Sequence, residues 1–203
     1  MEERSIDTLS LDGGWLCLDF INTVHDRTVE KPFEYLASYR DLIAWSVKLK
    51  LLAPSEGKKL ASVAENNEEK AQKVLHQLIE ARSILYEFFL DIAQNRVPGG
   101  DIQNQFNGLL RDGLQHLNLQ VGKKLVVKHR WQNRSDMNFP FYRIIKSAYD
   151  LMTSDKLDRV KECGACGWLF LDQSKNKSRK WCSMENCGSL VKAKRYYHKN
   201  KDG

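Results

Sequence analysis

Four of the five cysteines of this chain lie in its C-terminal part, in two pairs. Cys163 and Cys166 are separated by two residues, and Cys182 and Cys187, separated by four, follow after a gap of fifteen. Four thiolates can occupy the corners of a tetrahedron around zinc, at Zn–S distances of about 2.3 Å. The spacing therefore predicts a closed structural zinc site. The wider second pair favours a treble-clef-like finger, in which that pair spans a strand end and a helix start.

Disulfide bonds and redox chemistry are the alternatives for these cysteines. The chain does not open with a basic start and a long apolar run, so we expect a reducing, cytoplasmic setting in which paired cysteines bind metal. A redox pair at Cys163 and Cys166 would need a thiol of low pKa at a helix start, whereas residues 168–171 have the pattern of a strand. Four cysteines would also leave no open position for catalysis at the metal.

The segments around the cysteines resemble a known family. Cys166 begins Cys-Gly-Trp-Leu-Phe-Leu-Asp, residues 181–184 read Trp-Cys-Ser-Met, and Cys187-Gly188 precedes a basic tail. In this order they resemble the CGNR zinc-finger family of bacterial stress-induced transcription regulators, in which a helical domain called ABATE precedes the finger. The Leu-Asp-Phe-Ile-Asn-Thr segment at residues 18–23 is a feature of that domain. The resemblance implies a bacterial DNA-binding regulator that holds Zn²⁺.

The chain departs from the family at the motif that names it. Cys-Gly-Asn-Arg is replaced by Cys187-Gly188-Ser189-Leu190, which keeps the metal ligand and removes an arginine at the helix start. If that arginine contacts nucleic acid, this chain binds more weakly or differently. If it braces the finger, Leu190 is expected to pack in its place.

Basic residues are concentrated in the same part of the chain. Residues 159–201 hold eleven Lys and Arg against three acids, a net charge of +8, whereas the whole chain carries +6. A basic module on a mildly acidic body is typical of proteins that bind an anionic polymer. The predicted nucleic-acid contacts are Lys175, Lys177, Arg179, Lys180, Lys192, Lys194, Arg195 and Lys199. The alternatives are a tail that only aids solubility and, less favoured for lack of an apolar face, a membrane-binding tail.

A second group of polar residues lies near the N-terminus. Asp19, Asn22 and His25 are spaced by three, so on a helix they would share one face. They could line a pocket for a small-molecule effector. The alternative, which we favour, is that Asp19 and Asn22 brace neighbouring backbone groups, as buried polar residues usually do.

The remaining pattern predicts the elements that carry these residues. Apolar side chains recur at three or four residues along five segments, which predicts helices. These helices are expected to begin near Pro32, Pro54, Glu68, Asp101 and Asn138. Around Gly122 the apolar period changes to two, which predicts a β-hairpin formed by residues 117–121 and 125–131.

The finger is expected to contain strands at residues 159–163, 168–171 and 178–182, followed by a basic helix from about residue 185 to 199. In that helix one of Tyr196 and Tyr197 is expected to pack on Trp168 or Trp181. The predicted fold is mainly α with one β-hairpin, plus a small C-terminal treble-clef-like zinc finger. We expect an ABATE-like domain over residues 1–155 and a four-cysteine finger over residues 156–203.

Four classes of function remain. A regulator that binds double-stranded DNA is favoured, with the helical domain as a sensor or as the interface of a homodimer. RNA binding is the second class, because interleaved aromatic and basic residues also suit single strands. The third is an interaction domain that zinc holds together. An enzyme is disfavoured, because no Ser-His-Asp spacing, phosphate-binding glycine loop or H-E-x-x-H run occurs and we find no catalytic residues.

Overall fold

The computed structural model describes residues 4–201, without the side chains of Arg195 and residues 198–201. The helices are α1 (Leu16–Ile21), α2 (Tyr39–Lys48), α3 (Pro54–Glu65), α4 (Glu68–Ala93), α5 (Gly100–Leu114), α6 (Phe139–Met152) and α7 (Ser189–Lys201). The strands are β1 (Val24–His25), β2 (Phe33–Glu34), β3 (Leu117–Val121), β4 (Val127–Trp131), β5 (Val160–Glu162) and β6 (Leu169–Leu171). They form three antiparallel pairs, β1–β2, β3–β4 and β5–β6. The predicted fold class is confirmed. Within the described residues, no helix combines the length and the apolar character that a membrane span requires.

Helices begin where the sequence offers suitable first-turn residues. Ser38 and Asp41 cap α2 reciprocally, since each side chain accepts the backbone N–H of the other, at 2.8 and 3.2 Å. Helix α2 therefore starts later than predicted, because the chain from Pro32 first forms β2. Pro54 occupies the first turn of α3, where its missing N–H costs nothing.

Helix α1 lies at the centre of the core, which explains its dense apolar sequence. Leu18, Phe20 and Ile21 are fully buried. The helix packs against α4, α6 and β6. The same apolar core includes Trp45 of α2 and Phe170 of β6. It therefore continues without a break from helices α1–α6, which we call the helical body, into the finger.

The β3–β4 hairpin extends from this body, and its existence is confirmed. The pairing runs from Leu117 opposite Trp131 to Val121 opposite Val127. Val121 is 63% exposed and Leu125, in the turn, is 84% exposed. The described part of the chain therefore leaves much of the hairpin's apolar surface open.

The finger starts with β5 and β6 as expected, but residues 178–182 form no strand, contrary to the prediction. Asp172 explains this difference. Its buried carboxylate accepts the backbone N–H groups of Ser174 and Arg179, both at 2.9 Å, and so folds the chain into a loop. A single π-helical turn at Met184–Gly188 then leads into α7, which confirms the predicted C-terminal helix.

Candidate metal centre and nucleic-acid interface

The four paired cysteines converge on one point. The sulfur atoms of Cys163, Cys166, Cys182 and Cys187 all lie within 4.8 Å of one another. The Sγ atoms of Cys166 and Cys182 are 3.7 Å apart, and those of Cys182 and Cys187 are 3.6 Å apart. A tetrahedron with Zn–S bonds of about 2.3 Å has edges of about 3.8 Å. The sulfur separations fit such a tetrahedron and are far longer than the roughly 2.05 Å of a disulfide bond.

Two short turns hold the cysteines in these positions. In the first, the Cys163 N–H donates to the Trp168 carbonyl at 2.8 Å and the Gly167 N–H donates to the Cys163 carbonyl at 2.9 Å. Gly167 has φ +71°, a value that a residue with a Cβ rarely adopts. In the second turn, Ser183 accepts the N–H of Asn186 on its hydroxyl, at 3.2 Å. Backbone geometry thus brings each pair together.

The electrostatics of the cluster favour a cation. Hydrogen bonding to Cys163 raises the pKa of the Cys166 and Cys182 thiols. The pKa of Cys163, which accepts these bonds, is lowered, and burial raises the pKa of Cys187. Four thiolates at such separations would repel one another strongly unless a divalent cation compensated their charge. The four cysteines are therefore suited to a bound metal, and zinc is the metal that a compact all-sulfur tetrahedron favours.

The helical body holds the first half of the finger. The Asn22 side chain donates to the Leu169 carbonyl at 2.8 Å and accepts the Leu169 N–H at 3.0 Å, both in the buried core. The Arg27 N–H donates to the Cys166 carbonyl at 2.8 Å. The Trp168 indole N–H donates to the Val24 carbonyl at 2.6 Å. The position of the first cysteine pair is thus fixed by contacts with the body.

The predicted N-terminal pocket is corrected by these contacts. Asp19 lies in α1 and accepts the Gly13 N–H at 2.9 Å, and burial raises the pKa of its carboxyl to about 6. The Asn22 amide is occupied by the backbone of Leu169. His25 lies in β1 rather than on the helix, because α1 ends at Ile21. The three residues therefore do not share one helical face, and Asp19 and Asn22 each brace a backbone segment.

The predicted nucleic-acid contacts separate into two groups. The Arg179 guanidinium donates to the carbonyls of Trp181, at 2.8 Å, and of Cys182, so it braces the loop of the finger. Lys177 forms an ion pair with Asp158. The exposed members are Lys175, Lys180, Lys192 and Lys194, which have no ion pair within the described residues. Arg195 and Lys199 belong to α7, but their side chains lie outside the described residues.

Helix α7 projects most of its described side chains into solvent. Tyr196 and Tyr197 are 72% and 65% exposed, so neither side chain is buried against the finger, and the expectation that one of them packs there stays a prediction. The helix contains several Lys and Arg residues and no Asp or Glu. Its exposed surface is therefore basic and aromatic.

Sequence reasoning missed a cavity of about 770 Å³ between the finger and the body. His25 and Tyr35 line it from the body, and Leu190 and Lys194 line it from α7. Leu190 is 60% exposed, so it does not pack into the core in place of the family's arginine. No spacing in the sequence indicates this cavity, because its walls are distant along the chain.

Comparison with known families agrees with this architecture. The model of the ABATE family, described as "Putative stress-induced transcription regulator", matches residues 14–155. The model of the CGNR zinc finger matches residues 159–200. A search of the curated proteins finds no match to the chain. The expected families are thus confirmed, and neither description names an enzyme.

Proposed function

The chain belongs to the ABATE family of transcription regulators, and from this premise we propose that it binds double-stranded DNA through helix α7. Zinc, held by the four cysteines, supports the finger. The helical body serves as the sensor or dimerisation module. No catalytic role is assigned to any residue.

The observation that carries the proposal is the character of α7. Lys192 and Lys194 are exposed without an ion pair in the described part of the chain, and Tyr196 and Tyr197 are exposed beside them. Among the described side chains of this thirteen-residue helix none is buried, and a helix of that length gains little stability from its own sequence. A polyanion would neutralise its lysines and cover its tyrosines.

The metal would act on the shape of the finger and not on the bound nucleic acid. Cys187 lies in the turn that leads directly into α7, whereas Cys163 and Cys166 lie on the part that the body holds. A tetrahedral zinc would connect these parts and so set the direction in which α7 leaves the body. The chemistry that zinc supplies is this cross-link between four thiolates.

Electrostatic binding gives the proposal a quantitative test. Each lysine or arginine that neutralises a phosphate contributes about −0.9 to the slope of log K against log salt on B-form DNA. The four exposed lysines alone give a slope of about −3.6, and engagement of Arg195 and Lys199 would extend it to about −5.4. Fluorescence anisotropy between about 50 and 300 mM salt covers a range in which such slopes are measurable.

The variant to compare replaces Lys192, Lys194, Arg195 and Lys199 by alanine. It should retain its zinc, bind duplex DNA far more weakly and show a slope of about −1.8, which Lys175 and Lys180 would supply. The matched control replaces four exposed lysines of the body. These are Lys58, Lys59, Lys70 and Lys73, which lie on α3 and α4. The control removes the same net charge and should bind as wild type does.

Two results would overturn the proposal. If the α7 variant with intact metal binds DNA as wild type does, α7 is not the interface. If a single strand or RNA competes much better than duplex DNA, the exposed tyrosines act by stacking and the RNA alternative takes the place of this proposal.

A further inference from the structure

A second cavity, of about 610 Å³, lies on the helical body. It is formed where the residue before α1, helix α6 and the foot of the β3–β4 hairpin meet. The lining residues that matter here are Trp15, Trp131, Arg134, Arg143, Lys146 and Asp150. Three of these six are cations and two are indoles. The volume lies within the range of pockets that hold small molecules.

The acid in this lining is already neutralised. Both carboxylate oxygens of Asp150 accept hydrogen bonds from the Lys146 ammonium, at 2.6 and 2.7 Å. The Lys146 side chain is only 14% exposed, whereas that of Asp150 is 43% exposed, so water reaches the carboxylate but little of the ammonium. Asp150 therefore has little remaining capacity to pair with another cation.

The two neighbouring guanidinium groups differ in whether they have an ion-pair partner. Arg134 pairs with Glu56 at 2.7 Å, and the other oxygen of Glu56 accepts the Ala53 N–H at 2.8 Å. Arg143 is half-buried, and its guanidinium has neither a hydrogen bond nor an ion pair among the described residues 4–201. Its burial and the charge of Arg134 lower the pKa of Arg143, with Glu56 acting in the opposite direction. Arg143 is thus a partly desolvated cation without an acceptor.

The two indoles are held in place beside this cation. The Trp15 indole N–H donates to the Ser147 carbonyl at 2.9 Å. Trp131 packs edge to face on Phe139, with 6.0 Å between the ring centroids. Fixed aromatic rings bind another flat ring with little loss of side-chain entropy.

We propose that this cavity binds a planar aromatic molecule carrying a carboxylate or phosphate, with its oxyanion on Arg143 and its ring against Trp15 and Trp131. A guanidinium donates two parallel N–H bonds to either oxyanion, and such charge-assisted pairs are strong where water is partly excluded. An oxyanion supplies the acceptor that Arg143 lacks and screens it from Arg134. A flat ring packs against the indoles of Trp15 and Trp131.

The site deepens the sensor role of the body and rests on the proposed function for that role, although binding itself does not. Trp15 lies two residues after Gly13, whose carbonyl accepts the N–H of Leu171 in β6 at 2.8 Å. A ligand against Trp15 would therefore lie close to the segment that anchors the finger.

Isothermal titration of the full-length, zinc-loaded protein without DNA tests the site. The probes are salicylate, a small aromatic carboxylate, and adenosine monophosphate, a nucleotide. At least one probe should bind saturably at one site per chain. Binding of salicylate alone would identify an aromatic acid, and binding of adenosine monophosphate alone would identify a nucleotide.

Variants distinguish binding in the cavity from binding elsewhere on the protein. Arg143→Met keeps the length of the side chain without its charge. It should raise the Kd of the probe that binds at least about tenfold, which corresponds to 1.4 kcal/mol. Arg143→Lys keeps the charge but not the two parallel donors, so its affinity for the probe should lie between those of Arg143→Met and wild type. Trp131→Leu should also weaken binding. Arg111→Met, on an exposed arginine of α5, is the matched control and should bind as wild type does.

Two results would overturn the site. One is the absence of saturable binding by either probe. The other is equal affinity for wild type and for a folded Arg143→Met, with folding checked by circular dichroism. Because DNA is absent from the titration, failure of α7 to bind DNA would leave this result unchanged.

Discussion

The two halves of the finger share one metal site but differ in their surroundings. The first half carries Cys163 and Cys166 beside β5 and β6, and its Leu169 and Phe170 are fully buried in the common core. The second half carries Cys182 and Cys187 and continues into α7, whose described side chains are mostly exposed. The body sets the position of the first half, whereas the position of the second half depends chiefly on the cysteine cluster.

This difference suggests how one small module can be both anchored and accessible. Strand β6 is entirely apolar and packs against α1, while α7 has no acid and carries the basic surface. A metal between the halves allows the buried half to stabilise the exposed half at a distance. Substitutions can break that link at different points, of which the metal is the first.

Loss of a zinc ligand should have the largest effect. Cys182→Ser removes one corner of the tetrahedron, and structural zinc supplies about 10–16 kcal/mol to the folding of a small finger. We expect the metal-to-chain ratio to fall from one to near zero and the amides of α7 to exchange rapidly. The β5–β6 strands should stay protected, because their packing on α1 does not need the metal. Elemental analysis and hydrogen-exchange mass spectrometry measure these outcomes.

Cys17→Ala is the matched control for this change, because Cys17 is buried in α1 and belongs to no metal cluster within the described residues. It should keep one zinc per chain. Collapse of helices α1 to α6 together with α7 in Cys182→Ser would contradict the division into residues 1–155 and 156–203, which stays a prediction.

The second prediction concerns the anchor of the first half. Asn22→Ala removes both hydrogen bonds to Leu169 and leaves a buried N–H and a buried carbonyl without partners. Each such group costs about 1–3 kcal/mol, so we expect a loss of about 2–6 kcal/mol in the free energy of unfolding. Denaturant titration measures this loss. Thr28→Ala, on an exposed residue, is the control. An unchanged stability would show that the two bonds do not hold β6 on the body.

Local features of the sequence predicted much of this molecule. The two cysteine spacings identified the ligand set, because each pair closes over a short turn. Pro54 marked the start of a helix for a local steric reason. The hairpin around Gly122 followed from its apolar alternation, although alternation alone could not show that the hairpin lacks a covering layer within the described chain.

Contacts between distant residues could not be predicted in the same way. Asn22 and Leu169 are 147 positions apart, and nothing in either segment specifies the other. Arg179 was expected to contact phosphate, but the loop that Asp172 folds turns its guanidinium toward carbonyl groups of the finger. A basic residue in a tail is identified by its charge, whereas its availability depends on the acceptors that the fold brings near it.

The third prediction uses the pKa of Asp19, whose bond to Gly13 supports the segment that holds β6. The pKa in the folded protein, about 6, lies above the ordinary 3.8, so folding favours the protonated carboxyl. The contribution of the protonated Asp19 carboxyl to the free energy of unfolding is complete below about pH 4. It is lost as the pH rises to about 6, and the loss reaches about 3 kcal/mol. Asp19→Asn keeps the acceptor oxygen and removes the titration.

We expect Asp19→Asn to be about 1–3 kcal/mol more stable than wild type at pH 7.5, with the difference vanishing toward pH 4. Urea titrations at several pH values measure this difference. A variant that is less stable than wild type at pH 7.5 would mean that the ionised carboxylate stabilises the fold, and the burial argument would be wrong.

The smallest expected effect is a gain in DNA affinity from a substitution at Leu190, which lies in the first turn of α7. Leu190 is 60% exposed and lies on the same helix as Lys192 and Lys194, so Leu190→Arg should add one phosphate contact. The slope of log K against log salt should steepen by about 0.9, and the affinity for DNA should rise by up to about tenfold at 0.1 M salt. An arginine near a helix start is slightly unfavourable, so the stability should fall by less than about 1 kcal/mol.

Leu190→Gln provides a polar, uncharged control, and its salt slope should match that of wild type. A gain that is equal on all duplexes would identify a contact with phosphate, and a gain on particular sequences would identify a contact with bases, because only base edges carry sequence information. Leu190 also faces the cavity that His25 and Tyr35 line from the body. If Leu190→Arg changes neither the affinity nor the slope, this position faces the body rather than the DNA, and the DNA-binding surface of α7 begins at Lys192.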